Sequence, residues 1–232
     1  MSENSNLVQS VLALNPKLAV FDCDGTLWSG DSGEGFFDWE LKRGVVPEDV
    51  VRWARKRYAD YREGKVSEDD MCGEMVTLHA GLKEADVLKL AREFFEQYFV
   101  SQIFGQMKEL VAQLQNNGCD LWAVSSTNQW VIREAMPFVG ISPQKILAGS
   151  AEVKDGVITN KLTRMPSGPG KAKAILEVIG TLPDVAFGNS RWDKEMLTLA
   201  RNAVAVNPNP DLAKLAREKT WTIYWPAGTK QN

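Results

Sequence analysis

Two aspartates one residue apart, Asp22 and Asp24, follow the apolar run Leu18-Ala19-Val20-Phe21 and precede Gly25-Thr26. Along an extended chain side chains alternate faces, so the two carboxylates share a face and Cys23 takes the other. Carboxylates held that close repel. A divalent cation relieves the repulsion, and hard oxygen donors suit magnesium. Read alone, the pair also fits a plain acidic turn.

Three later segments carry further chemistry. Ser125-Ser126-Thr127 offers hydroxyls and free amides just before a helix, which suits an anion site or a helix cap. Lys171 follows Pro166-Ser167-Gly168-Pro169-Gly170 and opens a helix. A cation in a first turn opposes the helix dipole, so it needs a partner, either solvent or a phosphate with carboxylates. In Gly188-Asn189-Ser190-Arg191-Trp192-Asp193, Asn189 can offer a neutral oxygen to a metal. Asp193 can orient Lys171 or a water. An Asx-turn with a helix cap reads equally well.

The elements that position these residues follow from periodicity. Leu18 to Phe21 is long enough for a buried strand and too short for a helix. Cys119 to Val124, ending at Ser125, Val185 to Phe187, Ala203 to Val206 and Trp221 to Trp225 read as further strands. Ala151 to Leu162 reads as a hairpin turning at Lys154-Asp155-Gly156-Val157. Helices are expected over 7–14, over 106–117 (stopped by Gly118), over 128–136 with Pro137 at the end, over 171–179, over 193–200 and from Asp211. The alternation predicts an α/β fold, a doubly wound, mostly parallel, Rossmann-like sheet with helices on both faces. In such sheets ligands bind at the carboxyl ends of strands, and each of the four segments lies at a strand end or a helix start.

Between the first and second segments no strand pattern occurs. Helices are expected from Phe36 to a stop at Gly44 and Pro47, from Pro47 to Gly64, from a Ser67–Asp70 start, and over Lys83 to Phe99. Residues 31–104 therefore read as an all-helical insertion into a core of 1–30 and 105–232. Ser29 to Gly35 reads as a glycine-rich loop, with Gly30, Gly33, Gly35 and Gly105 as hinge positions.

Composition narrows the partners. The 232 residues carry a net charge of −3, so no broad basic surface for nucleic acid or anionic membrane is expected. No run approaches a membrane span, and the polar start lacks the basic opening of a secretory signal. Cys23, Cys72 and Cys119 are dispersed, which reads as reduced thiols in a cytoplasmic protein. The oligomeric state is not legible.

The four segments, in this order, resemble the haloacid dehalogenase-like hydrolase superfamily, and within it the phosphoserine-phosphatase-like branch. The resemblance implies that Asp22 is a nucleophile forming an aspartyl-phosphate and that Asp24 is the general acid, then base. It implies Mg2+ held by the Asp22 side chain, the Asp24 backbone carbonyl and the last motif, here Asn189, with Asp193 serving the metal or the lysine. It places Thr26, Ser125, Ser126 and Lys171 on the phosphate of a small phosphorylated metabolite. The family usually has aspartate where this chain has Asn189, a change that weakens magnesium binding without removing the oxygen. That departure keeps a catalytically impaired ligand-binding protein in view, and a phosphotransferase is a third reading. Dehalogenases lack the second aspartate, because halide leaves without a proton.

The insertion resembles the helical cap of that superfamily. Asp31 stands nine residues after Asp22, where phosphoserine phosphatases carry a glutamate that contacts substrate. Asp31 and Glu34 could meet an amine, such as that of phosphoserine or phosphoethanolamine, and Arg52, Arg55 or Arg57 a carboxylate. Trp28, Phe36, Phe37 and Trp39 could surround a quaternary ammonium such as that of phosphocholine or form cap core. His79, the sole histidine, reads as a core or helix-surface residue.

Overall fold

The computed structural model describes residues 3–229; Met1 and Ser2 of the polar start and the last three residues lie outside it. Seven strands form one sheet: β1 (Leu18–Phe21), β2 (Asp120–Asn128), β3 (Ile146–Lys154), β4 (Val157–Arg164), β5 (Val185–Gly188), β6 (Asn202–Val206) and β7 (Thr222–Tyr224). Their spatial order is β4-β3-β2-β1-β5-β6-β7. All neighbours pair in parallel except β3 and β4. The antiparallel pair turns at Asp155 and Gly156, with φ of 51° and 75°, the positive values that a two-residue hairpin turn of matching twist requires.

Alternation along β1 divides the core. Ala19 and Phe21 join a large cluster with α1 (Glu3–Ala13), α6 (Gly105–Asn116) and α7 (Gln129–Val139), whereas Val20 faces α8 (Pro169–Val178), α9 (Lys194–Leu199) and α10 (Pro210–Glu218). Both faces are thus covered, as a parallel sheet demands.

Between β1 and β2 run α2 (Ser32–Arg43), α3 (Glu48–Arg62), α4 (Glu68–Thr77) and α5 (Glu84–Tyr98). Phe37, Leu41, Ala54 and Met71 belong to a third cluster carried by α2, α3 and α4. Helix α5 behaves differently. Its Ala91, Phe94 and Phe95 join the large cluster, with Phe95 stacked 5.8 Å from Phe138 of α7. The segment before α5 is also tied to the hairpin. Gly81 N–H donates to Ile158 O (2.8 Å), Ile158 N–H to Leu82 O (2.9 Å) and Glu84 N–H to Gly156 O (2.9 Å).

Several local expectations need correction. Helix α2 begins at Ser32, so Gly33 and Gly35 are helical rather than loop hinges. A Cβ on Gly33 would lie 2.6 Å from Thr127 Oγ1, so this glycine permits close approach of helix and strand. Helix α7 runs through Pro137 to Val139, because a proline near the end removes one donor while Gly140, in the left-handed region, still closes the helix on Met136 O. Strand β2 runs on to Asn128. Its register shifts after Ser125, since Ser125 pairs with Ala148 and Asn128 with Gly149. Ser126 and Thr127 bulge from the ladder, which re-aims their side chains. No helix among the described residues is long and apolar enough to cross a membrane.

Candidate active site

The carboxyl ends of β1, β2 and β5 meet where the connections diverge to opposite sides, the usual place for a ligand crevice in an open sheet. Asp22 follows β1 directly, and its N–H donates to Phe187 O of β5 (2.9 Å). Its Oδ1 accepts from Lys171 Nζ at 2.6 Å and its Oδ2 from Thr26 Oγ1 at 2.8 Å. Lys171 Nζ also lies 2.6 Å from Asp193 Oδ1. The other oxygen of Asp193 accepts from the N–H groups of Asn189 and Ser190, both at 2.9 Å. Lys171 and Asp193 are buried.

Charge in this cluster is unbalanced. Burial, then the neighbouring Asp193, push the Asp22 carboxyl up to about 7, against the pull of Lys171. Burial alone would lower the Lys171 ammonium, but Asp193 and Asp22 outweigh it and hold its proton firmly. The lysine that the helix dipole disfavours is thus kept in place by two carboxylates.

Asp24 is fixed differently. Its Oδ1 accepts from Trp28 Nε1 (2.7 Å) and Ser32 N–H (2.5 Å), and its Oδ2 from Thr127 Oγ1 (2.8 Å). Three donors from two distant parts of the chain set its orientation. Asn189 lies against the turn after Asp22. Gly25 has φ of 76°, and a Cβ there would approach Asn189 Nδ2 to 1.9 Å, so only glycine lets the two loops meet.

Two cavities share this site. The larger, about 330 Å³, is lined by Asp22, Asp24, Ser125, Lys171 and Asn189, among others. The smaller, about 140 Å³, lies under the helical segment. Asp31, Tyr61, Glu68, Ser126 and Thr127 line both.

The structure gathers most of the expected residues and relocates some. Thr26, expected on the phosphate, is fully buried and donates to Asp22 rather than lining the cavity. Ser125 is buried on the cavity wall, and its Oγ accepts from Thr127 N–H (3.1 Å). Asp31 caps α2, accepting from Glu34 N–H at 2.8 Å. It opens to solvent through the cavities, yet crowding by protein, then by Asp24, pushes its carboxyl up to about 7. Glu34 reaches only the smaller cavity.

The aromatic cage is not formed. Trp28 and Phe36 are fully buried, and Phe36 stacks on Trp39. Of that set Phe37 borders the smaller cavity, and Trp28, Phe36 and Trp39 line neither of the two. Arg52 pairs with Glu48 on the surface, Arg57 pairs with Glu74, and neither they nor Arg55 line a cavity. His79 is a core residue, with Nε2 2.7 Å from Glu40 Oε2 and Nδ1 3.0 Å from Val76 O. Thr127 was expected only within an anion-binding or capping segment and not as a partner of Asp24, and Glu68 was not singled out by the sequence. The alternation from Ser125 to Thr127 was the available signal for the first.

The family model for haloacid dehalogenase-like hydrolases matches residues 19–198. The chain belongs to that family. The hydrolase is 27% identical over 219 residues to a histidinol-phosphatase of Neisseria meningitidis, covering 89% of this chain and 97% of the relative. It is 27% identical over 215 residues to a phosphoserine phosphatase of Mycobacterium tuberculosis, covering 88% and 69%. Among solved structures it shares the fold of a Bordetella pertussis protein of unknown function (TM-score 0.79, 22% identity, 89% and 97% covered). It also shares that of phosphoserine phosphatase as a phospho-aspartyl intermediate analogue (TM-score 0.57, 20% identity, 90% and 92% covered).

The donor set suits magnesium in kind. Asp22 and Asn189 border one cavity with Asp24, and carboxylate and amide oxygens are the ligands this ion takes. Asp193 is fully buried and lines neither cavity, and its oxygens accept from Lys171 and from the Asn189 and Ser190 N–H groups. Among the described residues no group of three or more His, Cys, Asp or Glu could hold a metal; the expected set of one carboxylate, one amide and one backbone carbonyl is not such a group. The surplus negative charge around Asp22 is the second indication that a cation belongs there.

Proposed function

We propose that this hydrolase is a magnesium-dependent phosphomonoesterase acting on a small phosphorylated metabolite that carries an amine. The observation that carries the reading is the pairing of a lysine-bound carboxylate, Asp22, with a second carboxylate, Asp24, oriented by three donors on the wall of the same cavity.

Asp22 attacks phosphorus with a carboxylate oxygen while the bond from phosphorus to the leaving oxygen breaks. Asp24, protonated for this step, gives its proton to that oxygen. Asp24 then takes a proton from a water that attacks the aspartyl-phosphate, releasing inorganic phosphate and restoring Asp22. Lys171 neutralises phosphoryl oxygens, and Ser125 with the bulge at Ser126 offers hydroxyls beside them. Asp193 keeps Lys171 charged and aimed. Asp22, Asn189 and the Asp24 backbone carbonyl would hold magnesium, which when bound would supply positive charge favouring ionised Asp22 and the incoming phosphate. Helices α2 to α4 supply much of the wall of the smaller cavity. The amine follows from Asp31 and Glu34 and from the substrates named for the two relatives, both amine-bearing.

The test is inorganic phosphate release from phosphoserine, histidinol phosphate, phosphoethanolamine, phosphocholine and sugar phosphates, with magnesium and with chelator. Turnover that needs magnesium and is lost in Asp22→Asn supports the reading. A folded protein inert on the whole panel refutes it and favours a phospholigand-binding role, for which Asn189 is the motivating residue. Transfer to an added acceptor alcohol in place of water would identify a phosphotransferase.

A further inference from the structure

We infer that the smaller cavity is a leaving-group site selecting an alcohol with a cationic group of single-ring size and no carboxylate, and that Glu68 is a specificity-determining residue there. The inference rests on the phosphomonoesterase reading and narrows its substrate class.

Size comes first. At about 140 Å³ the chamber is close to a cavity known to hold one benzene, roughly 150 Å³. It therefore takes one ring or a short aminoalkyl group. Its position fits a leaving group, because Thr127 both borders the two cavities and holds Asp24. An ester seated with phosphate beside Lys171 would project its alcohol past Asp24 into the chamber.

Charge decides the chemistry. Asp31, Glu34, Glu40 and Glu68 line the chamber, against Arg62 as the one basic side chain of the lining. Glu40 is already committed to buried His79. Glu34 faces the Tyr58 hydroxyl, which also contacts Arg62; both charged groups are exposed and offset each other. Glu68 accepts from the Tyr61 hydroxyl and borders both cavities. A neutral guest would leave Asp31 and Glu68 without a counter-charge, and an anionic guest would be repelled by them. A cation neutralises them and can rest on the faces of Tyr58 and Tyr61, whose centroids are 5.9 Å apart. A carboxylate beside the amine, as in phosphoserine, would meet Glu68 and Asp31.

The experiment compares kcat and KM for four esters: an imidazole-bearing amino-alcohol phosphate, phosphoethanolamine, phosphoserine and p-nitrophenyl phosphate. We expect kcat/KM for the imidazole ester to exceed that for phosphoserine by about ten-fold or more, the worth of one charge-assisted hydrogen bond. Glu68→Gln should shrink the advantage of the imidazole ester over p-nitrophenyl phosphate by about ten-fold, mainly through KM. Glu68→Asp should keep part of it. Inhibition of the unmodified enzyme gives a reading free of folding effects: the imidazole-bearing alcohol should compete, and serine should not. Preference for phosphoserine, or an ester ranking that Glu68→Gln leaves untouched, overturns the inference while the phosphatase stands. Absence of magnesium-dependent hydrolysis of all four esters removes the phosphatase and this inference together.

Discussion

Thr127 donates its hydroxyl to Asp24 Oδ2 at 2.8 Å, joining residues 103 positions apart in the chain. The bulge at the end of β2 makes the contact possible. In the proposed mechanism it would make Thr127 a positioning residue toward Asp24, distinct from the phosphate contacts expected of Ser125 and Ser126. Thr127→Val keeps the shape and removes the donor. We expect kcat to fall about ten-fold with KM little changed, the loss of a roughly 1.4 kcal/mol interaction. Steady-state kinetics, with thermal melting to confirm an intact fold, checks this.

Asp24→Asn should slow hydrolysis of alkyl phosphates by about 10²–10⁴-fold, the usual contribution of a positioned general acid. p-Nitrophenyl phosphate, whose leaving group departs readily as an anion, should lose much less in the first step. Rapid-quench measurement of the first turnover separates the two esters. An equal loss for both would count against Asp24 as the acid.

Asn189→Asp restores a charge beside Asp22 and Asp24. Magnesium should then bind more tightly and stabilise the fold more at a given concentration. Saturation at 100 times Kd corresponds to about 2.7 kcal/mol. Melting temperature against magnesium concentration for both proteins gives the two affinities directly.

Lys171→Met leaves two buried carboxylates without their cation. Breaking such a group by removing one partner costs about 3–5 kcal/mol. The deficit should shrink at lower pH, because protonating Asp22, whose carboxyl is already pushed up, removes the repulsion. Denaturant titrations at two pH values test both parts.

The Glu40–His79 pair predicts its own pH dependence. Burial raises the Glu40 carboxyl above 4.5, with His79 opposing. Burial would lower the His79 ring, but Glu40 outweighs it and the ring is raised above 6.5. Both groups bind protons more tightly folded than unfolded. Their contribution is therefore complete below 4.5 and lost as pH rises through the folded values. Unfolding free energy against pH should decline less steeply over neutral pH in Glu40→Leu/His79→Leu than in the unmodified protein.

Much of this was legible in the chain. Val185 to Phe187 announced a buried strand because an apolar run of that length has few other uses. Asp22 and Asp24 announced a shared site because their spacing places them on one face. Thr127 was legible as part of an anion-binding or capping segment, but its bond to Asp24 was hidden, since the bulge that aims it depends on pairing with β3. Glu68 was hidden because an acid in a first helical turn already satisfies the helix dipole. The allegiance of α5 was hidden too: amphipathic spacing shows that a helix buries a face, and says nothing about which partner it buries it against.

The backbone ties between Gly81, Leu82, Glu84 and the β3–β4 hairpin bear on how the enzyme would discriminate. They anchor the far end of α4, whose first turn carries Glu68, to the sheet that carries Thr127. A chamber walled in this way would act more as a gauge than as a glove. A guest of the wrong size or charge would then be rejected at encounter, without a closing motion that only the right guest could drive.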